Sequence, residues 1–384
     1  MKAGWPPLYK AALPLALWLS SAVQVSTAAQ IELGGYYKNI FASSKTLPLL
    51  PPAEPYLLDL NRLRLQLRGS LNERISFDLQ YDNEIMLGDY LETAQFSLLK
   101  RRQPDTYFDL SRIYVDNDTL YGGHSLYRAY VDFSLPEVSL RVGRQRIAWG
   151  TAMLWNPMDI LNPFNPIQLE RLERQGIDAA LADWDYDALS RVSLVYARQQ
   201  GGPSSAVRWR SNLKGFDLSL MAGRFRGDAI GGFDFAGQLG EIGVRGEITR
   251  TRSGRDGRFT QAVVGADYTF SNTLSLNLEL YYNGQGASDT PDYQFDRLLW
   301  GEIQSVGRRY LGGYLGYDIT PLLRWDNFII VNLGDDSFFL APSLVYSLTD
   351  NLEGTAGVQA FSGDSGTEYG TFENLYHLQL QWFF

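Results

Sequence analysis

The sequence predicts an all-β fold, a single transmembrane antiparallel up-and-down β-barrel of about 18 strands within a range of roughly 16 to 20. Three observations point there. Apolar and polar residues alternate with period 2 along almost the whole chain after residue 29, which is the pattern of a strand with two different faces. Tight links between these segments trade places with long ones, so that short turns gather at one end and long loops at the other. Aromatic residues make up 14% of the chain while mean hydropathy is only −0.20, because a lipid-facing parity and a wet parity average out.

Residues 1–29 stand apart from this pattern. Lys2 and Lys10 precede and flank the apolar run "AALPLALWL", and "SSAVQVSTAAQ" supplies small residues for cleavage after Ala28 or Ala29. This reads as a secretory signal peptide that is removed, leaving 30–384 as the barrel. No later stretch approaches the ~18 consecutive apolar residues of a membrane-spanning helix. The formal charge of −9 grows more negative once Lys2 and Lys10 are lost, which disfavours a nucleic-acid role. The absence of cysteine removes disulfides, thiolate metal sites and covalent c-type haem.

The strands follow in order. After 30–43 come "NRLRLQLRG" (61–69), with Leu63, Leu65 and Leu67 against Arg62, Arg64, Gln66 and Arg68, and "ISFDLQYD" (75–82), with Ile75, Phe77, Leu79 and Tyr81 against Ser76, Asp78, Gln80 and Asp82. "YRAYVDFSL" (127–135), "VSLRVGRQ" (138–145), a weaker segment at 177–185, "VSLVYAR" (192–198), "AVRWRSNL" (206–213), "FDLSLMAGR" (216–224), a weaker one at 232–239 and "IGVRGEIT" (242–249) continue the series. "QAVVGADYTF" (261–270), "LSLNLELYYN" (274–283), "YLGGYLGYDIT" (310–320), "NFIIVNL" (327–333), "FFLAPSLVYSL" (338–348), "LEGTAGVQAF" (352–361) and "LYHLQLQWFF" (375–384) complete it. "YFDLSRIYV" (107–115) reads as an extra hairpin above the membrane. Pro342 cannot donate a ladder hydrogen bond, so a local bulge is expected there. The tight links "LNER" (71–74), Pro136-Glu137, Lys214-Gly215, "SNT" (271–273) and "TDN" (349–351) all fall at one end, and 44–55, 84–124, 148–176, 284–309 and 363–374 are the long ones. If the chain starts in the periplasm, the short turns and both termini are periplasmic and the long loops extracellular.

Function is sought on the inward parity. Of 34 basic residues only six are lysines. Arg62, Arg64, Arg68, Arg128, Arg141, Arg208, Arg210 and Arg245 share the lumenal parity, where guanidinium forks suit the carboxylate or phosphate of a passing solute. The same arginines can instead be neutralised in cross-strand ladders, by Asp78 and Asp82 beside Arg62–Arg68 and by Asp132 beside Arg128 and Arg141. Asp267, Glu279, Asp318 and Glu353 place the acidic stripe in the second half, so a transverse field is expected. The stretch 143–184 carries Asn-Pro at 156–157, 162–163 and 165–166, which sculpts the backbone. The loop 148–176 is expected to fold into the pore, with Arg146, Trp155, Asn156, Asp159, Asn162, Glu170, Arg171 and Arg174 as constriction residues, beside Glu173.

The run "GRQRIAWG…WNP.D..NP…LERLERQGIDA", the preceding strand "LYRAYVDF", the strand count and the terminal aromatic together resemble proteobacterial outer-membrane porin-like channels, architecturally similar to the alginate-export barrels. That resemblance implies an 18-stranded channel with an arginine-rich pore in the outer membrane of a Gram-negative bacterium. Tyr376, Leu378, Leu380, Trp382 and Phe384 resemble the signal by which the barrel assembly machinery recognises its substrates, and leave His377, Gln379 and Gln381 facing the lumen. "GDSG" at 363–366 imitates a protease loop, but the two histidines, His124 and His377, offer no inward triad at matching depth, and the residues are ordinary turn formers. The "GDD" at 334–336 would hold Ca²⁺ only weakly. Neither a catalytic residue, a metal nor a cofactor is expected. Two functions stay open: a channel for small or anionic solutes among outer-membrane lipids, or a barrel that sheathes or docks a partner such as a periplasmic protein or a multihaem cytochrome.

Overall fold

The computed structural model describes residues 30–47, 53–100, 106–163, 165, 167–170, 174, 176–299 and 301–384. The expected signal peptide, Arg171 and Glu173 lie outside the described residues. The strands are β1 (Gln30–Lys45), β2 (Pro55–Asn72), β3 (Ile75–Leu87), β4 (Ser111–Asp116), β5 (Leu120–Ser134), β6 (Val138–Gln145), β7 (Ile177–Asp187), β8 (Ser190–Gln199), β9 (Gly202–Leu213) and β10 (Phe216–Phe225). They continue with β11 (Asp228–Leu239), β12 (Ile242–Ser253), β13 (Gly257–Thr269), β14 (Ser275–Asn283), β15 (Arg309–Thr320), β16 (Leu323–Asn332), β17 (Phe338–Thr349), β18 (Leu352–Ser362) and β19 (Leu375–Phe383).

Every neighbour is antiparallel, and β19 returns to β1 from Tyr36↔Phe383 to Ser43↔Tyr376. Gly35 and Phe384 add a reciprocal pair of backbone bonds of 2.9 and 3.1 Å. The sheet therefore closes on itself as a ring, the condition for a strand-built object in lipid. The staves number eighteen, because β4 is not one of them: β3 pairs with β5 over its whole length, and the other edge of β5 is shared between β6 near the turn end and β4 near the loop end. The segment read as an extra hairpin is this β4, stacked in line with β6.

The alternation has the inverse of a soluble protein's burial. On β14, Leu278, Leu280 and Tyr282 are 48%, 53% and 42% exposed while Asn277, Glu279 and Asn283 are 3%, 1% and 3% exposed. Apolar side chains stand outward, where lipid solvates them, and polar ones crowd the bore. The five outward residues of the closing strand, Tyr376, Leu378, Leu380, Trp382 and Phe384, are all exposed.

Three expectations need correction. The strands, expected at about 9–11 residues each for a bilayer crossed at a tilt of ~45°, run from 6 to 18 residues, since several continue beyond a lipid-spanning length. Tight links are not confined to one end: Gln200-Gly201 and Arg226-Gly227 join β8 to β9 and β10 to β11 at the long-loop end. At Arg226-Gly227 both residues have positive φ, 48° and 96°, a turn whose twist matches the flanking strands. Pro342 makes no bulge. It keeps its place opposite Asn327 while the ladder to β18 breaks off after Leu340↔Ala360 and resumes at Ser343↔Gly357 in unchanged register, because the missing N–H deletes pairing on one edge alone.

Candidate functional site

The segment between β6 and β7 enters the bore and is bound to its wall. Glu247, inward on β12, accepts the backbone N–H of Thr151 (2.5 Å), Ala152 (2.8 Å) and Met158 (3.0 Å). Glu279, inward on β14, accepts those of Met153 (2.6 Å), Leu154 (2.9 Å) and Trp155 (3.3 Å). Two wall carboxylates thus satisfy six loop amides that have no sheet to join, and charge makes each bond stronger than a neutral one. Arg245 returns a bond to the Thr151 carbonyl at 3.0 Å. Gly150 enters the turn at φ 119°, and a Cβ there would stand 2.9 Å from the Glu247 Oε1.

Packing seats the same segment. Trp155 is 1% exposed and stacks on Tyr281 with ring centroids 5.1 Å apart, with Tyr310 at 5.8 Å. Gly312 on β15 makes room for it, since a Cβ there would lie 2.5 Å from both Leu154 and Trp155. Met158 and Leu161 pack with Ile177, Val195, Met221 and Phe225 on the opposite flank.

The Asn-Pro pairs fold the loop locally. The Asn162 side-chain oxygen accepts from the Ile147 amide at 2.9 Å, and the Asn156 carbonyl accepts from the Asp159 amide at 3.0 Å. Asp159, 2% exposed, receives Arg174 at 2.7 Å. Burial pushes the Asp159 carboxyl up to about 7, against the pull of Arg174 and Arg146. Further on, Glu170 takes a two-pronged bond from Arg62 (2.6 and 2.8 Å) and one from Lys38 (3.0 Å). Burial would raise the Glu170 carboxyl, but these two cations together hold it below its ordinary value. Gln359 on β18 donates to the Ile167 carbonyl at 3.0 Å. The chain leaves β6, touches β12, β14, β15 and β18, then β1 and β2, and so crosses the bore before rejoining the wall at β7.

Six of the eight lumenal arginines are ion-paired. Arg62 meets Glu84 as well as Glu170, Arg64 meets Asp82 at 2.5 Å, Arg68 meets Asp78 at 3.0 Å, Arg141 meets Asp132 at 2.8 Å, Arg208 meets Asp234 at 3.1 Å and Arg245 meets Asp267. Of the expected acidic stripe, Asp318 is taken by Arg324 at 3.7 Å and Asp267 by Arg245, whereas Glu279 is met by loop amides and not by a cation. Arg128 and Arg210 make no ion pair among the described residues, and neither does Arg146. The Nε of Arg128 and of Arg146 are buried without a hydrogen-bond acceptor. At Arg128 the β3–β5 register slips between Gln80 and Tyr81, a bulge that turns buried Tyr127 inward beside it; the Arg64 guanidinium sits 3.7 Å from the Tyr127 ring centroid.

Of the expected constriction residues, Trp155, Asn156, Asp159, Asn162, Glu170 and Arg174 come together in this loop, with Arg146 at its root within electrostatic reach of Asp159 and Arg174. Sequence reasoning missed Glu247 as an anchor, took Glu279 for a stripe charge, and passed over Lys38 and Gly312. Gly312 lies opposite Glu279 only through the β14–β15 register, so no stretch of sequence by itself marked the pair. Above the loop, a cavity of about 900 Å³ opens toward the long-loop end, lined by Asn156, Asp159, Asn162, Arg174, Thr249 and Gln261 among others.

No family model matches the sequence, and no curated protein matches it either. Solved structures do match in fold. OccK5 (OpdH) of Pseudomonas aeruginosa superposes with a TM-score of 0.59 at 10% identity over 94% of this chain and 99% of that one. OpdK of the same organism, solved with vanillate, gives 0.57 at 10% identity over 92% and 98%. OccAB3 of Acinetobacter baumannii gives 0.53 at 12% identity over 92% and 99%. At such identities the likeness is one of architecture, which it carries over nearly the full length of both chains.

Proposed function

We propose that the protein is an outer-membrane channel for small anionic solutes, with residues 146–170 as its constriction. The observation that carries this is a closed eighteen-stave barrel whose bore is spanned by its own pinned segment, with the inward Arg128 and Arg146 making no ion pair among the described residues. A barrel of this size holds an aqueous path unless it is plugged, and a short inserted segment narrows that path while a 900 Å³ vestibule stays open above it. Half-buried guanidinium groups without an ion pair among the described residues suit an anion of carboxylate or phosphate type. OpdK, with which the fold is shared, was solved with vanillate, itself a small carboxylate, and this supports the solute class.

In this reading the exposed outward leucines and aromatics face lipid, the short-turn end and both termini are periplasmic, and residues 1–29 direct export. The outward set Tyr376, Leu378, Leu380, Trp382 and Phe384 is then available to the assembly machinery. A sheath around a cytochrome would need an unobstructed bore, and this one is crossed by the segment that carries Trp155 and Glu170. Transport is the function this geometry supports. Planar-bilayer recording tests it: purified protein alone should give discrete current steps, and a salt gradient should give an anion-selective reversal potential. No current, or cation selectivity, would refute the proposal.

A further inference from the structure

Outside the bore, one sector of the wall carries charge that lipid burial does not explain. Along β8 to β13 the outward parity is apolar at mid-wall, with Leu194, Val207, Leu220, Phe233, Ile248 and Val264. Nearer the long-loop end the same parity becomes Arg198 on β8, Arg224 on β10, Arg250 and Arg252 on β12 and Arg258 on β13, all exposed. The register sets Arg224, Ala229, Arg252 and Arg258 in one row across four strands, with Gly231, Arg250 and Thr260 in the row beneath. With strands about 4.8 Å apart, Arg252 and Arg258 are direct neighbours and Arg224 lies roughly 10 Å from Arg252. Ala222, Ala229 and Gly231 leave space between the arginines, and the two-residue links after β8 and β10 keep this rim low.

These arginines differ from those inside. Among the described residues none of Arg224, Arg250, Arg252 and Arg258 makes an ion pair, and Arg250 has only the Thr260 hydroxyl at 2.7 Å. The nearby acids Glu302 and Asp256 are engaged by Arg255 and Arg297. Like charges placed side by side repel, so four of them at the upper border of an apolar band need an anion from elsewhere. Lipid phosphates lie at that depth.

We propose that Arg224, Arg250, Arg252 and Arg258 dock the phosphate-bearing head group of a lipid in the leaflet on the long-loop side, its acyl chains lying over Ala222, Gly231, Phe233 and Ile248. This rests on the reading that the barrel spans a membrane with this end outward. Simple interfacial snorkelling of arginine would need no phosphate, and the test separates the two.

The full chain in detergent is titrated with bisphosphorylated lipid A and with the dephosphorylated lipid, and bound lipid is counted by native mass spectrometry. Wild type should prefer the phosphorylated form. The triple variant Arg224→Gln/Arg252→Gln/Arg258→Gln should bind it at least about tenfold more weakly, from several-fold per basic residue, and the matching triple Lys variant should recover most of the loss. Should the Gln triple fail to fold, Arg258→Gln alone should still cost about threefold on the same grounds. Equal affinity for both lipids, or folded Gln variants that bind as wild type does, would overturn the proposal. Protein that binds the lipid but passes no current sinks the channel reading alone, and protein that conducts but ignores the phosphate sinks only this one.

Discussion

The wall glutamates give the most direct handle on the constriction. Changing Glu279 to Gln keeps the shape but removes the charge and turns an amide NH₂ toward loop N–H donors. Hydrogen bonds to a charged group contribute about 1.5–3 kcal/mol each, and Glu279 accepts three of them. Since one carbonyl oxygen remains, a loss of about 2–4 kcal/mol in loop seating is expected. Glu247→Gln removes a similar set from Thr151, Ala152 and Met158. Opposing both is the burial of Leu154, Trp155, Met158 and Leu161, each at most 3% exposed and each contributing about 1.5–3 kcal/mol. Either single variant should therefore leave the loop seated but loose, and the pair should release it for a measurable fraction of the time.

The assay is hydrogen exchange at the amides of 151–155 and 158, combined with single-channel recording. At about 1.4 kcal/mol per factor of ten, each single variant should speed exchange by roughly 30-fold to 1,000-fold. Glu247→Gln/Glu279→Gln should also show a larger conductance level absent from wild type. Because strand pairing is untouched, barrel melting should hardly move. If the double variant exchanges within about threefold of wild type, the carboxylates do not hold the loop, and Trp155 packing alone must.

Gly312→Val should push Trp155 off its seat, since a Cβ at 312 lies 2.5 Å from it; Trp fluorescence should shift to the red and conductance rise. Arg128→Gln/Arg146→Gln should lower the anion-to-cation permeability ratio several-fold by reversal potential, whereas Arg208→Gln, whose charge is already paired with Asp234, should change it little. Loop seating should also depend on pH through Asp159. Burial places its carboxyl at about 7 in the seated loop against an ordinary 3.8, so the neutral form favours seating. That contribution is complete below 3.8 and is lost as pH rises through 7; the protection factors at 151–158, base-catalysed intrinsic rates divided by the measured exchange rates, should be lower at pH 8 than at pH 5. Asp159→Asn should reduce the pH dependence of these protection factors, and a profile unchanged by it would refute the assignment to Asp159.

How much of this was legible in the sequence follows from how far each feature reaches along the chain. Period-2 alternation is local, so all eighteen staves and their facing could be read, as could Arg141 with Asp132 across a three-residue turn. Pairing of Arg64 with Asp82 needs only the register of one hairpin. Glu247 and Glu279 bind residues about a hundred positions away, and nothing local distinguishes an anchoring glutamate from any other wet-face acid. Only the curvature of the closed wall brings them to the loop. The short links at Gln200-Gly201 and Arg226-Gly227 were hidden for a different reason: β8 through β11 run almost without interruption, and the turn chemistry of a positive-φ arginine is weaker than that of Asn-Gly.

The pairing of charge gives the structure its functional meaning. Arginine is costly to desolvate, and a wall rich in it is stable when each guanidinium has a carboxylate within reach, as Arg62, Arg64, Arg68, Arg141, Arg208 and Arg245 do. Against that background, an arginine without a partner identifies where the protein expects an anion it does not itself supply. Among the described residues such arginines stand on both faces of the wall: Arg128, Arg146 and Arg210 inside, and the row Arg224, Arg252 and Arg258 outside. The inner pair Arg128 and Arg146 is half-buried, with Arg146 at the root of the inserted loop. The outer row is exposed at the rim of the lipid band and can hold its anion permanently. On the two proposals the same residue type would serve transit inside and anchorage outside, and replacing the inner pair should alter selectivity without altering lipid binding, while replacing the outer row should do the reverse.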